Sequence, residues 1–224
     1  MRYNPYNFNN VKLIGFAAVC GLSLVGLANT GTGVAVLKTV QRVPATLTSL
    51  LASPTAKGAI AVCAAEGNCT PQGELTAYAD GHADPGNGRW NMGRFSYQHG
   101  AATPAEADRK QLARLRSQGK VILNEAKKEK VPLNEKEIVN AIDLANQAPL
   151  AALEPNGGFI DRLKQCRGQG KTGSDAVLCA RSQSFRNPIT GELEAPGLGN
   201  SLSRVERDQQ RRMDAIRDAL ASAP

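Results

Sequence analysis

The sequence predicts a mainly α-helical domain with a turn-rich segment that has room for a small β lobe. Apolar residues recur at helical spacing after residue 100, and helix-capping signals precede several of these runs. Residues 68–100 show no helical period and are dense in glycine, asparagine, aspartate and proline, which indicates turns and short strands. With 224 residues, 42% apolar and 21% charged, the composition excludes a wholly disordered, collagenous or polytopic membrane protein.

Residues 1–28 are typical of a signal peptide or a membrane anchor. Arg2 and Lys12 form a basic start, and the apolar run of residues 13–27 has the length of a signal-peptide core. Small residues before Asn29 fit a cleavage site, whereas an uncleaved segment holds the protein to the membrane. Both interpretations predict an exported protein that is periplasmic, in the cell envelope or membrane-anchored.

The cysteines and the net charge agree with export. The four cysteines after residue 28 predict disulfides, and we expect the local pairs Cys63–Cys69 and Cys166–Cys179, with four buried thiols as the alternative. Lysine plus arginine exceed aspartate plus glutamate by 27 − 20 = 7, which favours anionic partners such as a cell-wall polysaccharide. No nucleic-acid motif accompanies this charge, so we expect no nucleic-acid partner. We expect membrane contact only through an uncleaved N-terminal segment.

The first predicted elements lie on either side of a domain boundary. Residues 29–55 predict a linker with a short helix inside 40–51, and the domain covers 56–222. Its first helix covers 57–66, because that run is nearly all alanine, isoleucine, valine and cysteine. Gly67 is placed to stop this helix in a left-handed conformation.

Capping signals divide the rest of the domain into helices. Thr103 and Glu106 form a capping box, which predicts a helix to about Gly119 and a second helix over 121–130. A loop is predicted over 185–200. Four further helices are predicted. One begins at Asn134 with Glu137 and stops at Pro149, and another covers 158–167. The last two begin at Ser174 and at Ser203 with Glu206. The predicted buried stripes consist of Ile138, Ala141, Ile142, Ala145, Phe159, Ile160, Leu163, Cys166, Val205, Ile216 and Leu220.

The segment 66–100 holds both histidines and most of the aromatic residues outside the N-terminus. Aromatic side chains concentrated on an ordered surface loop indicate a binding cleft. The alternative is a compact loop that uses its aromatic residues to pack against itself. These aromatic residues are Tyr78, Trp90, Phe95 and Tyr97.

Glu66 is the strongest single candidate for chemistry. It follows the uncharged run 58–65 and precedes Gly67, so it ends an apolar helix. Burial and the negative end of the helix both disfavour a charged carboxylate, which predicts a protonated general acid. The alternative is a polar residue that marks where the helix reaches the surface.

The helix end AAEG at Ala64–Gly67 and the stretch NMGRFSYQ at Asn91–Gln98 resemble the lysozyme-like superfamily. That superfamily includes goose-type lysozymes, lytic transglycosylases and phage muramidases. The resemblance implies a lysozyme-like helical domain with a small β lobe. It also implies cleavage of the β-1,4 bond of peptidoglycan, with Glu66 as the acid.

A second carboxylate and sugar-binding groups are expected in the same segment. Asp80 and Asp84 are the candidates for the second catalytic carboxylate of a glycosidase, whereas a transglycosylase needs none. Aromatic faces and side-chain amides or imidazoles suit a sugar ring and its hydroxyl groups. The predicted substrate-binding residues are His82, Asn87, Trp90, Asn91, Tyr97, Gln98 and His99.

A metal site is the rival interpretation of this segment. His82, Asp84 and His99 offer ligands for zinc or iron, and Asp80, Asp84 and Asn87 offer ligands for calcium. Lone loop histidines more often form hydrogen bonds, so we expect no metal and no cofactor. The chain also lacks a phosphate loop, a dinucleotide fingerprint and a serine nucleophile elbow.

Two functions remain open from the sequence. The first is an exported enzyme that cleaves cell-envelope glycan. The second is a non-catalytic exported protein of the same fold that binds cell-wall polymer or an envelope protein. A Glu66 that lines an open groove beside Trp90 or Tyr97 favours the enzyme, and a Glu66 that pairs with a buried arginine favours the binding protein.

Overall fold

The computed structural model describes residues 45–84 and 88–222, so the predicted signal or anchor segment 1–28 lies outside it. The described chain is mainly helical with a small β lobe, which confirms the predicted fold class. Within these residues, no helix combines the length and the apolar character that a membrane span requires. The helices are α1 (Ala45–Leu50), α2 (Lys57–Glu66), α3 (Pro104–Lys128), α4 (Glu135–Gln147), α5 (Pro149–Leu153), α6 (Phe159–Gly168), α7 (Gly173–Gln183) and α8 (Leu202–Ser222).

Helix α2 lies at the centre of the domain. Seven of its ten residues are buried, and it packs along α8 and against α4 and α1. An uncharged helix of this composition is stable only where other helices cover it on several sides. It ends where predicted, because Gly67 adopts φ 81° and its N–H bonds the carbonyl oxygens of Cys63 and Ala64. The last residue of this buried helix is therefore Glu66.

Helix α1 belongs to the packed domain and not to a linker. Leu47, Leu50 and Leu51 are buried, and α1 contacts α2, α3 and α4. The compact unit accordingly includes α1, which lies inside the range 40–51 where we expected a short helix within a linker. Three leucines within five residues carry this packing, and burying each of them contributes about 1.5–3 kcal/mol.

Helix α3 is one continuous helix where we expected two. It runs from Pro104 to Lys128 through Gly119, which is buried. A Cβ at Gly119 would lie 2.6 Å from Leu47 Cδ1, so the absent side chain makes room for α1. The predicted capping box at its N-terminus forms only in part. The Thr103 hydroxyl accepts from the Glu106 N–H as expected. The Glu106 carboxylate, however, accepts from the Ala102 N–H instead of the Thr103 N–H.

The remaining helix boundaries confirm some of the predicted caps. Asn134 and Glu137 form the predicted capping box. Helix α4 ends before Pro149 as predicted, and Pro149 is also the first residue of α5. Helix α7 begins before Ser174, with Thr172 at the N-cap, and α8 begins before Ser203, so both predicted serine caps are wrong. The predicted buried residues of α4, α6 and α8 are all buried.

The residues between α2 and α3 form the turn lobe, here residues 67–103. It contains a 3-10 turn at Ala77–Asp80 and the antiparallel strands β1 (His82–Ala83) and β2 (Trp90–Asn91), which pair His82 with Asn91 and Ala83 with Trp90. The amide of buried Asn68 donates to the carbonyl oxygens of Gly93 and Arg94 at 3.0 and 3.2 Å. Asn68, which follows the α2 cap Gly67, therefore holds the segment 93–94 of the lobe close to the end of α2.

Both predicted disulfides are present. Cys63–Cys69 links α2 to the start of the turn lobe, and Cys166–Cys179 links α6 to α7. The alternative of four buried thiols is therefore wrong. Two disulfides in a chain of this size are typical of an oxidising compartment.

Gly58 gives a direct test of the α1–α2 packing. Gly58→Ala should lower the free energy of unfolding by about 1–3 kcal/mol, because a Cβ there would lie 2.8 Å from the backbone oxygen of Leu50. Urea unfolding followed by circular dichroism measures this. The control is Gly168→Ala, where the new Cβ meets nothing within 4 Å. Equal unfolding midpoints for the two variants would contradict this packing.

Candidate functional site

The carboxylate of Glu66 is held through one of its two oxygens. Oε1 accepts a hydrogen bond from Asn146 Nδ2 at 2.8 Å and another from Arg212 Nη2. Within the described part of the chain, Oε2 has no hydrogen-bond partner. The side chain is 12% exposed, so it lies at the edge of the core. The carboxyl group is therefore fixed in orientation and keeps one oxygen available.

Arg212 connects Glu66 to a buried ion network, which we define as Glu66, Arg212, Asp143 and Arg181. Asp143 of α4 accepts from Arg212 Nε at 2.9 Å and from Arg212 Nη2 at 2.7 Å. It also accepts from Arg181 Nη2 of α7 at 2.6 Å. The side chains of Asp143 and Arg181 are fully buried, and the two acids balance the two bases.

Electrostatics hold the centre of this network in its charged form. Burial alone would raise the pKa of Asp143, but the guanidinium groups of Arg212 and Arg181 outweigh it and lower that pKa. Burial likewise opposes the charge of Arg212, and the carboxylates of Asp143 and Glu66 more than compensate and raise its pKa. The sequence led us to expect that burial and the helix end disfavour the charged form of Glu66; the structure places the buried guanidinium of Arg212 beside it.

Asn146 joins Glu66 to the turn lobe. Its Nδ2 donates to Glu66 Oε1 and also to the Phe95 carbonyl oxygen at 3.2 Å, while Gln111 Nε2 donates to its Oδ1 at 2.7 Å. The buried Phe95 ring fixes this part of the lobe in the core. The segment 91–98 therefore passes close to the end of α2, and its aromatic Phe95 serves packing.

Of the two aspartates proposed as the second carboxylate, Asp84 is the more buried and has a described hydrogen bond. It is half-buried at the end of β1 and accepts from Asn91 Nδ2 at 3.3 Å. Asn91 itself is buried, and its Oδ1 has no partner among the described residues. Asp80 is exposed in the 3-10 turn. A buried amide thus orients Asp84, and no comparable contact is described for Asp80.

Two large aromatic rings are presented on the surface of the turn lobe. Trp90 is 58% exposed and Tyr78 is 60% exposed. The Trp90 ring lies against the backbone of Gly81, where a Cβ would be 2.5 Å from its Cζ2. Gly81 has φ 134°, which also favours glycine. Sequence reasoning did not select Tyr78 as a site residue, although its aromatic neighbours gave the signal.

Each of the two histidines contacts an aromatic ring. His82 Nδ1 lies 2.9 Å from the Tyr78 carbonyl oxygen, and the Tyr78 and His82 rings are 5.2 Å apart. His99 packs edge-on against the half-buried Tyr97 at 5.3 Å. Burial and the charges of Arg114 and Arg89 lower the pKa of His99.

The described residues contain no group of three histidine, cysteine or acidic side chains arranged for a metal. Asn87, a predicted ligand for sugar or calcium, lies outside the described residues, and Gln98 is exposed.

The partners of Glu66 were missed by sequence reasoning. Arg212 is one of several arginines in α8, and Arg181 lies in a short helix with no clear period, so neither stands out in the sequence. A signal was present in α4. Asn140, Asp143 and Asn146 recur at one-turn spacing inside the otherwise apolar stretch 138–146, and polar residues at such spacing indicate a buried polar contact.

Asp143→Asn tests the network. The change should lower the free energy of unfolding at pH 7 by about 3–5 kcal/mol, because it leaves two guanidinium groups buried with one carboxylate. The lowered pKa of Asp143 contributes stability that is complete above about pH 3.9, where an unfolded aspartate titrates, and that declines as the pH falls toward the folded pKa.

Urea unfolding between pH 7 and pH 3 measures both effects. The free energy of unfolding of Asp143→Asn should lack the decline that Asp143 causes at low pH. The exposed control Asp218→Asn should behave like the wild type. A variant as stable as the wild type at pH 7 would show that the network does not support the fold.

The comparisons with known proteins add no assignment. The chain matches no protein-family model, no curated protein and no solved structure. The resemblance to the lysozyme-like superfamily therefore stays a prediction.

Proposed function

We propose that this protein is an exported enzyme that cleaves a glycosidic bond of cell-envelope polysaccharide, with Glu66 as the general acid. The observation that carries the proposal is the attachment of Glu66 through Oε1 alone. Asn146 and Arg212 anchor that oxygen, while Oε2 lies without a partner among the described residues, at the end of α2 beside the turn lobe. A carboxyl group with one anchored oxygen and one available oxygen is suited to directional proton transfer.

By the criterion set from the sequence, the ion pair with buried Arg212 favours the binding protein, but it leaves a chemical route open for the enzyme. Arg212 also bonds Asp143, so its charge is shared between two carboxylates. A proton on Oε2 leaves both hydrogen bonds to Oε1 in place. Glu66 can therefore take up a proton and donate it to the leaving oxygen of a glycan without a rearrangement of the side chain. Arg212 and Asn146 act as positioning residues in this mechanism.

Asp84 supplies the second carboxylate of the proposed reaction. Its hydrogen bond from buried Asn91 orients it within the same lobe that contacts the end of α2. In a hydrolase it activates water or attacks the sugar, and in a transglycosylase the substrate's own hydroxyl group replaces it. Product analysis distinguishes these reactions, since a transglycosylase releases anhydro-sugar ends.

The proposed substrate is peptidoglycan. The lysozyme-like resemblance of the α2 end implies this polymer, and the exposed rings of Trp90 and Tyr78 are suited to stack on sugar faces. Two disulfides and the net charge of +7 agree with action outside the cytoplasm on an anionic wall. The N-terminal segment is the proposed export signal or anchor.

The second candidate is a non-catalytic exported protein that binds wall polymer or an envelope protein. One observation favours it: Glu66 pairs with buried Arg212, and a glutamate that only balances a buried arginine has a structural role. Both candidates share the exposed aromatic surface of the turn lobe. Only the enzyme candidate predicts that a Glu66 variant without a transferable proton loses cleavage activity.

Glu66→Gln separates the two candidates. Glutamine keeps an oxygen for Asn146 and Arg212 but cannot donate the proton, so cleavage should fall by about 10²–10⁴-fold while binding persists. A zymogram on purified peptidoglycan measures cleavage, and sedimentation with the insoluble polymer measures binding. The surface variant Glu135→Gln, which removes only an exposed pair with Lys57, should cleave normally.

The same assays decide the remaining assignments. Asp84→Asn should also lose cleavage if the enzyme is a hydrolase. Cleavage by Glu66→Gln at the wild-type rate would show that Glu66 is not the acid. Binding by all variants with no cleavage by the wild type would support the non-catalytic candidate.

Trp90→Ala tests the sugar-binding surface. Loss of an aromatic face that is buried on binding should weaken affinity for the polymer by roughly tenfold or more, since such burial contributes about 1.5–3 kcal/mol. The control is Ile189→Ala, which removes a side chain that is 93% exposed and lies outside the turn lobe. Equal binding by the two variants would place the glycan elsewhere.

A further inference from the structure

Helix α3 carries an exposed row of positive charge. Seven of its side chains are basic and three are acidic, so its net charge is 7 − 3 = 4, within a chain whose net charge is +7. Four of the basic residues are exposed and follow one another at intervals of seven, four and seven residues. These four residues, which we call the basic row, are Arg109, Arg116, Lys120 and Lys127.

The spacing places the basic row on one side of the helix. At about 100° per residue, its four positions fall within about 40° of one another around the helix axis, and they extend over about 27 Å of its length. The buried residues Leu115, Gln118 and Ile122 lie about 120° or more around the helix from the middle of the row. The row is therefore a line of cations on the solvent side of α3.

Acidic side chains do not neutralise this row. Within the described residues, none of its four cations has a carboxylate within ion-pair distance. Glu106 lies one turn before Arg109, but Lys110 already binds the Glu106 carboxylate at 2.7 Å. Arg116 donates to two backbone carbonyl oxygens, at 2.8 and 2.7 Å, which are neutral and leave its charge uncompensated.

The surface beside the row is uncharged and lacks large apolar groups. Residues 45–56, which include α1, contain no charged side chain, and α1 packs against α3. Between its cations the row exposes Ala113 and Asn124. Helix α3 has no aromatic residue and no exposed large apolar side chain. Such a face offers nothing for a sugar ring or a base to stack on, and it suits a surface of anionic groups.

The position of α1 relates this face to the N-terminal segment. The described chain begins with α1, whose Leu47 lies against Gly119 in the middle of α3. Residues 1–28, which are typical of a signal peptide or an anchor, are therefore joined to the domain through an element that lies beside the basic row. An apolar segment together with a basic surface is a common combination for holding a protein at an anionic bilayer.

We propose that the basic row of α3 binds the surface of a membrane that contains anionic phospholipid. The lipid phosphates contact the four cations, and α3 lies along the bilayer without entering it, because no large apolar side chain accompanies the row. Each cation near such a surface strengthens binding by about fivefold. The proposal extends the membrane contact expected of the N-terminal segment to the folded domain, and it does not depend on catalysis by Glu66.

Lysine footprinting of the full chain tests this surface. An amine-acetylating reagent is applied with vesicles of two parts phosphatidylcholine and one part phosphatidylglycerol, or of phosphatidylcholine alone, and mass spectrometry gives the modification rate of each lysine. The anionic vesicles should slow the modification of Lys120 and Lys127 by about fivefold or more, and the neutral vesicles should not. Raised salt should restore the reaction, because it screens the attraction.

The internal control is Lys171, which is exposed beyond the end of α6. It should react at one rate under all these conditions. Because lysines of the same chain are compared, membrane binding by the N-terminal segment does not by itself produce protection that is confined to α3 and requires anionic lipid.

Matched charge removals assign the contact to the row. In Arg109→Gln/Lys120→Gln, anionic vesicles should no longer protect Lys127, because the loss of two cations weakens the contact by about 25-fold. The control Arg207→Gln/Lys171→Gln removes the same charges from exposed positions outside α3 and should keep the protection. Thermal unfolding followed by circular dichroism verifies that both double variants fold.

Three results would overturn the proposal. The first is equal modification of Lys120 and Lys127 in the wild type with anionic and with neutral vesicles. The second is protection of these lysines by purified peptidoglycan but not by vesicles, which would assign the row to wall polymer. The third is equal loss of protection in the two double variants. The first two results use only the wild-type chain, so a variant that fails to fold leaves the test intact.

Discussion

The structure depends on the burial of Asp143 between two arginines. A carboxylate and two guanidinium groups lie in the core, and each is costly there unless the others are in place. Asp143 comes from α4, Arg181 from α7 and Arg212 from α8, so satisfying these charges aligns three helices. Glu66 adds the fourth charge from α2 and makes the network neutral. The helices that form the core therefore share one electrostatic requirement.

This requirement also positions the candidate site. Glu66 lies where the network reaches the surface, and Asn146 extends the same hydrogen bonding to the backbone of Phe95 in the turn lobe. The disulfide Cys63–Cys69 and the amide of Asn68 hold the lobe to the end of α2 from the other side. A loop-rich lobe thereby presents Trp90 and Asp84 from a rigid base, which is what a glycan-cleaving site needs.

Much of the fold was predictable because it follows from local chemistry. The uncharged run 58–65 predicts a buried helix, and Gly67 supplies its left-handed end. The capping box at Asn134 formed as predicted. The failures have tertiary causes: Gly119 stays helical because its missing side chain makes room for Leu47, a contact that outweighs a propensity cost of about 1 kcal/mol.

For this protein, the sequence by itself determined the mainly helical class, the aromatic-rich segment and the place of Glu66 at the end of an apolar helix. Each of these follows from the local pattern of residues along the chain. Only the tertiary structure decided what surrounds Glu66. Its partner Arg212 is 146 residues away, on a helix whose arginines look alike in sequence. Which arginine is buried depends on the packing of α2, α4, α7 and α8 together, because a charge is stable in the core only where that packing supplies its partners.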